Sequence, residues 1–331
     1  MTAAAWLCRA VLAGVVLAGA GCATRPPLQV DAGALARGVD LSAQVPFHPQ
    51  TRYQCGPAAL AGVLGASGIP ATPEDLESQV YLPGRQGSLQ VELFGATRRA
   101  GRIPYPVAGT AQALVAELQA GRPVLVLQNL LTRSVPKWHY AVVVGMQPGG
   151  GRVRLNSGIR QGQWQSSSKF MRTWDWGGRW AMLALQPGEL PADADPLRYL
   201  SAVADFEAVA GADAAAPAWA AAQQRWPGEP RVYLALGNQA HAAGDLAAAA
   251  GLYRQGLAHA PGEPVLSNNY ASVMAGLGCP AQALAALDTV AAAAGSPWQA
   301  QLAQTRREVQ ALPSAGRAPA ARCVPLALSL P

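Results

Sequence analysis

The chain has 331 residues, half of them hydrophobic and only 13% charged, so it has length for two domains and a composition that argues against disorder and coiled coil. A surplus of 25 Lys and Arg over 19 Asp and Glu gives a formal charge of +6 without any run of like charges that could track a phosphate backbone, which argues against nucleic acid as a partner. The 5 cysteines, at positions 8, 22, 55, 279 and 323, include no C-x-x-C pair, so neither a metal knuckle nor a disulfide scaffold is expected, and no metal, nucleotide or redox cofactor is implied.

The first 21 residues read as a secretory signal: Arg9 is followed by the apolar run Ala10 to Ala20 and the small pair ending at Gly21. The run is shorter than the ~20 residues that span a bilayer. The segment Leu17-Ala-Gly-Ala-Gly-Cys22-Ala-Thr resembles a bacterial lipobox. That resemblance implies that Cys22 is lipidated and becomes the first mature residue. Ala23 after it, rather than Asp, implies an outer-membrane lipoprotein facing the oxidising periplasm. Ordinary cleavage, with Cys22 unmodified, is the alternative.

From residue 40 to 186 helix-like and strand-like segments alternate, the pattern of an α+β domain. Within Val45 to Leu60, Cys55 is followed by Gly56-Pro57 and a helical run from Ala58 to Leu64, so the cysteine opens a helix. There the backbone dipole stabilises a thiolate, which would make Cys55 a nucleophile near neutral pH, with Gly56 admitting substrate and Pro57 suiting the first turn. The bland alternative is a small buried core cysteine. Thr72-Pro-Glu-Asp75 starts a second helix with Thr72 as cap. Ser88 to Gly101 and Thr110 to Gly121 read as helices, and Pro123 to Gln128 as a buried strand.

A nucleophile of this kind needs a base, and this part of the chain offers His48 and His139. His48, between Phe47 and Pro49, reads as structural. His139 stands at the mouth of an apolar strand, after the loop Leu130 to Pro136, where active-site residues are often carried. The hairpin Gln147 to Gly151 returns the chain as Arg152 to Gly158, which brings Asn156, or failing it Ser157, near the histidine. Trp164, Trp174, Trp176 and Trp180 pack the sheet or wall a groove.

A linker at 187–195 separates this domain from residues 196–312, which are alanine-rich and helical throughout. A period of 34 runs through them: Pro196, Pro230 and Pro264; Tyr199 and Tyr233; Ala215, Ala249 and Ala283. Tyr233, Leu236, Gly237, Gly244, Ala249, Tyr253 and Pro261 fall where a tetratricopeptide repeat places its signature residues, and the segment resembles that family, implying about three helix pairs. Such an array is either a module that binds a peptide or partner protein, or a cap against the first domain. His241 and His259 have no second ligand at metal spacing. Cys279 and Cys323 are the mature cysteines left over, and they are expected to pair, pinning the Pro/Ala-rich tail (313–331) to the last repeat.

The order Gln-x4-Cys55-Gly-Pro-Ala-Ala-Leu, then His139-Tyr-Ala-Val-Val-Val-Gly, then a strand, turn and strand, resembles the papain-like cysteine peptidases. More narrowly it is similar to the bacterial peptidases that process double-glycine leaders of bacteriocins. The resemblance spans 43–186. It implies an α+β papain-like domain followed by an all-α repeat domain. It also implies a Cys55-His139-Asn156 triad, with Gln50 or, adjacent to the cysteine, Gln54 serving the oxyanion hole. The expected protein is a lipid-anchored, periplasm-facing cysteine peptidase acting on a peptide or protein substrate. Leader processing is not carried over, because this chain has an export signal and no transporter segments. A peptide-binding lipoprotein without turnover is the rival reading. A cell-wall amidase or acyltransferase ranks below both, because no second histidine follows His139 in the domain.

Overall fold

A computed structural model describes residues 28, 30, 33, 35–50, 54–290, 296–312 and 323. The leader with Cys22, and the tail apart from Cys323, lie outside the described residues. Seven strands form one sheet: β1 (Val39–Asp40), β2 (Ile103–Pro106), β3 (Val124–Asn129), β4 (Trp138–Met146), β5 (Arg152–Ser157), β6 (Arg160–Ser166) and β7 (Ala181–Leu185). The order is β2-β7-β3-β4-β5-β6, with β1 joining the far end of β4, and every pairing is antiparallel. Strands β3 and β4 coincide with the apolar runs of the sequence, because they are buried along nearly their whole length. Strand β2 carries two prolines and pairs only with β7, the edge position that tolerates residues unable to donate to a ladder.

The helices of this part are α1 (Cys55–Ala66), α2 (Pro73–Val80), α3 (Gln90–Arg99), α4 (Ala111–Gln119) and α5 (Ser167–Trp176). Helix α1 is apolar on all sides and buried from Gly56 to Leu64. Helix α2 starts at a capping box in which Thr72 and Asp75 satisfy each other's backbone amides, and α4 starts where Thr110 accepts the Ala113 N–H. Helix α3 begins at Gln90, so Ser88 stands ahead of the helix expected to start with it.

Seven more helices follow: α6 (Pro196–Ala210), α7 (Ala212–Arg225), α8 (Pro230–Ala242), α9 (Leu246–His259), α10 (Pro264–Gly276), α11 (Pro280–Asp288) and α12 (Gln299–Gln310). The period of the sequence is a period of helix starts. Pro196, Pro230 and Pro264 each sit at the first helical position, behind an acidic cap, Asp195, Glu229 or Glu263, that accepts a backbone N–H. The second helices start at Ala212, Leu246 and Pro280, again 34 apart. Gly237 is required by a close approach, since a Cβ there would run into the Tyr253 ring. Cys279, the residue before α11, is disulfide-bonded to Cys323 with the Cα atoms 5.5 Å apart, and Gln282 Nε2 donates to the Cys323 carbonyl at 3.4 Å.

The segment between β7 and α6 is stitched to the sheet rather than free. The Tyr105 hydroxyl donates to the Asp193 carbonyl (3.0 Å) and accepts the Asp195 N–H (3.2 Å), while the Asp193 N–H donates to the fully buried Glu117 carboxylate (3.2 Å). The Tyr199 hydroxyl donates to the Glu189 carbonyl (3.0 Å). One apolar core runs from Leu35 through the sheet to Tyr199, Phe206, Trp219 and Val232, and a second covers Ala249 to Val309. Helix α6 lies against β2 and α3, and Leu234 and Ala240 of α8 pack against the second core, so the helices join the two cores. Helix α6 thus packs on the edge of the sheet. Tyr199→Ala, which empties a fully buried ring site at this junction, is expected to cost about 3–5 kcal/mol in urea unfolding, with the sheet and the helices losing stability together.

Candidate active site

Cys55 is the first residue of α1, as its sequence context suggests, and is the one free cysteine among the described residues. Its sulfur lies among backbone amides, those of Tyr140, Gly56 and Cys55 itself. Gly56 serves a different approach from the one expected. The space where its Cβ would stand is filled by the Ser88 side chain rather than being open to a substrate. Pro57 lies in the first turn of α1, where the amide it lacks would have had no helical acceptor.

His139 is the second residue of β4 and half-buried. Its Nε2 lies 2.9 Å from Ser157 Oγ. The residue brought to the histidine is therefore Ser157, and not Asn156. The reason is strand parity. Asn156 is paired with Val142 and Leu155 with Val143, so Ser157 shares a sheet face with Ala141 and His139, whereas Asn156 faces the other way. Asn156 is instead buried, with Oδ1 accepting the Gly162 N–H at 2.9 Å. Its Nδ2 has no hydrogen-bond partner among the described residues, and neither does His48 Nε2. Both residues line a small cavity beside Gln50 with room for about one water molecule.

Cys55 and His139 line one cleft of about 1100 Å³, together with Gln50, Ser88, Tyr140, Leu127, Trp138, Trp176 and a set of glycines. No hydrogen bond joins the thiol to the imidazole among the described residues. The Gln50 N–H donates to the Gly158 carbonyl at 3.1 Å, which ties the segment around Gln50 to the turn after Ser157. Gln54 does not line the cleft, and its Nε2 donates to Glu77 at 3.1 Å. The four tryptophans divide. Trp174 is buried against Phe170 and donates to the Trp180 carbonyl, Trp180 meets the Tyr140 ring edge-on, Trp164 lies under Arg154, and Trp176 walls the cleft. Ser88 and Tyr140 were not singled out by the sequence. Ser88 reads as helix start, and Tyr140 acts at the thiol through its backbone amide, which no pattern of residue types reveals.

Burial sets the protonation states. The Cys55 thiol is pushed up from its ordinary value by desolvation, only partly offset by the amides of Tyr140, Gly56 and Cys55. The direction is opposite to that of the thiolate expected at the helix N-terminus, with desolvation the larger influence and the three backbone amides the smaller. His139 is pushed down to about 4, first by desolvation and then by the positive charge of Lys137. Near pH 7 the unliganded cleft holds a neutral thiol and a neutral imidazole.

Residues 39–182 match the model of a family described as Peptidase_C39 like family, and at the level of the family that match suggests a cysteine peptidase. A Bacillus anthracis chain of known crystal structure, provisionally described as a C39-like peptidase, is 18% identical with a TM-score of 0.38, over 44% of this chain and 96% of that one. No protein of curated function matches the chain.

Two titrations check these states. Alkylation of Cys55 in the unliganded protein is expected to be slow at pH 7 and to accelerate only above the range of an ordinary thiol, ~8.5. His139 binds its proton less readily folded (about 4) than unfolded (6.5). It therefore contributes stability that is fully present above pH 6.5 and lost as pH falls toward 4. Urea midpoints at both ends of that window should fall more for the wild type than for His139→Gln.

Proposed function

We propose that the chain is a cysteine peptidase in which Cys55 is the nucleophile, His139 the base and then the acid, Ser157 the residue that orients the imidazole, and Gln50 with the Cys55 amide the oxyanion hole. The observation that carries the reading is the convergence of Cys55, His139 and Gln50 on one cleft, with the far nitrogen of His139 held by Ser157. Gln50 takes the oxyanion role in preference to Gln54, whose amide is engaged by Glu77.

Chemistry starts from the neutral pair. With Nε2–H donating to Ser157 Oγ, Nδ1 of His139 is free to take the thiol proton as the sulfur attacks the peptide carbonyl carbon. The carbonyl oxygen becomes an oxyanion, met by the Gln50 side-chain amide and the Cys55 N–H. The C–N bond then breaks, the imidazolium returns its proton to the departing amine, and a thioester remains. Water attacks the thioester with His139 again as base, which releases the new carboxyl terminus and restores the thiol. A serine hydroxyl stabilises the imidazolium through one neutral hydrogen bond, less than a carboxylate would, so the proton transfer belongs to the attack step and not to a resting ion pair.

The same proposal extends to the rest of the chain. The mature protein is a lipoprotein anchored through Cys22 to the outer membrane and facing the periplasm, as the small residues before Cys22 and Ala23 after it suggest. The helices after Pro196 form a tetratricopeptide-like array that holds a partner or substrate, supported by the 34-residue period of helix starts. The neutral, buried thiol favours one rival, a peptide-binding lipoprotein without turnover on the same fold.

Hydrolysis of a peptide pool, read by mass spectrometry, should vanish in Cys55→Ala. Binding without cleavage by the wild type would establish the rival. Ser157→Ala should lower kcat about tenfold or more with KM little changed, since it loosens the base without touching substrate. Ser157→Asp should raise the His139 pKa from about 4 and speed Cys55 alkylation at neutral pH, because the new carboxylate stabilises the imidazolium that accompanies the thiolate.

A further inference from the structure

The charged residues lining the cleft are Arg85 and Lys137, both cations, and no carboxylate lines it among the described residues. Both side chains are exposed, and neither has an ion pair among the described residues. Their backbones are fixed. Lys137 donates its N–H to Asn129 Oδ1 at 2.9 Å and accepts from the Leu130 N–H at 2.8 Å; Arg85 closes a single 3-10 turn by donating to the Leu82 carbonyl at 3.0 Å. Arg85 belongs to the segment that brings Ser88 against Gly56, and Lys137 is two residues from His139, so the two charges flank the reacting groups. Two carboxylates outside the cleft lining are engaged: Asp175 accepts from Arg133 (2.9 Å) and Arg179 (3.1 Å), and Glu77 from Gln54. Arg172, exposed and also without an ion pair among the described residues, lies over the Trp176 ring on the cleft wall, 5.6 Å from its centroid. Beside these charges stand apolar walls, Trp138 and Trp176, and Trp138 is 55% exposed.

We propose that the cleft takes acidic polypeptide segments, with carboxylates of the substrate meeting Arg85 and Lys137 and an apolar side chain lying against Trp138 or Trp176. This inference rests on the peptidase reading for its substrate but not for its binding. Cations without an ion pair among the described residues attract an anionic segment more strongly than a neutral one and repel a basic one, so selection works in both directions. A carboxylate beside Lys137 also offsets one of the two influences that keep His139 unprotonated, so an acidic substrate assists the base as well as filling the cleft.

Binding is read first, with the full mature chain carrying Cys55→Ala and fluorescent synthetic peptides that are identical except for Glu, Gln or Lys flanking a central apolar residue. The expected order of affinity is Glu, then Gln, then Lys, with Glu over Lys by about tenfold or more and the gap closing in ~1 M salt, where charges are screened within ~3 Å. The double variant Arg85→Glu/Lys137→Glu, made in the Cys55→Ala chain and checked for an unchanged unfolding midpoint, should reverse the order. Equal affinities, a preference for Lys, or an order indifferent to the double variant would overturn the proposal. Cleavage of the same peptides by the wild-type chain is read separately. Acidic peptides that bind in the expected order but stay uncut would sink the peptidase reading and leave this one standing. Peptides cut without regard to charge would do the opposite.

Discussion

The packing of α1 on β4 is the contact on which the cleft depends. From Gly56 to Leu64 every residue of α1 is buried, and Gly62 brings the helix close to the Pro46 carbonyl and the Val142 side chain. A helix held so tightly has one position for its first residue, so the Cys55 sulfur is delivered to the Tyr140 amide at the start of the strand that also carries His139. The two groups come from sequence positions far apart, and core packing, not any local motif, sets their geometry. Dense interiors of this kind tolerate little displacement, which is how a site can be placed without many hydrogen bonds of its own.

The same burial decides the charge state of the site. Desolvation disfavours charge on sulfur and on imidazole alike, so it raises one pKa and lowers the other, and the backbone amides around the thiol are too weak to reverse this. Neither ion is favoured alone; transferred between them, one proton creates both charges at once and each then stabilises the other. Ser157 keeps the imidazole in the orientation that such a transfer needs without fixing the proton in advance. The cleft thus rests neutral while its rim, at Arg85 and Lys137, stays positive, an arrangement that leaves charge compensation to whatever enters.

What the sequence made legible follows local rules. The cap at Thr72, the helix opened by Cys55, the apolar strand after His139 and the 34-residue spacing of Pro196, Pro230 and Pro264 all report on interactions within a few residues or a strict period. What stayed hidden depends on register and depth. The choice between Asn156 and Ser157 turns on strand parity, and β4 and β5 shift register between Val143 and Gly145, which alternation in the sequence does not reveal. The edge strand β2 was masked by its prolines, and β6 by its polar residues. That Cys55 opens a helix is visible in the sequence, whereas the burial that raises its thiol pKa appears only in the folded structure.

The helical array is tied to this site more closely than a linker-separated module would be. Asp205 on α6 pairs with Arg98 on α3 at 2.6 Å, and the Arg98 guanidinium lies over the Phe94 ring. Phe94 meets Trp180 at 5.8 Å, Trp180 meets Tyr140 at 5.8 Å, and the Tyr140 amide reaches the Cys55 thiol. Exposed ion pairs such as Arg98–Asp205 contribute little by themselves. The weight of the junction is carried by Tyr105, Tyr199 and Phe206, fully buried in a core that the sheet and α6 share. Removing the helices would therefore uncover the edge of the sheet at β2 and slacken the layer of rings on which Tyr140 rests.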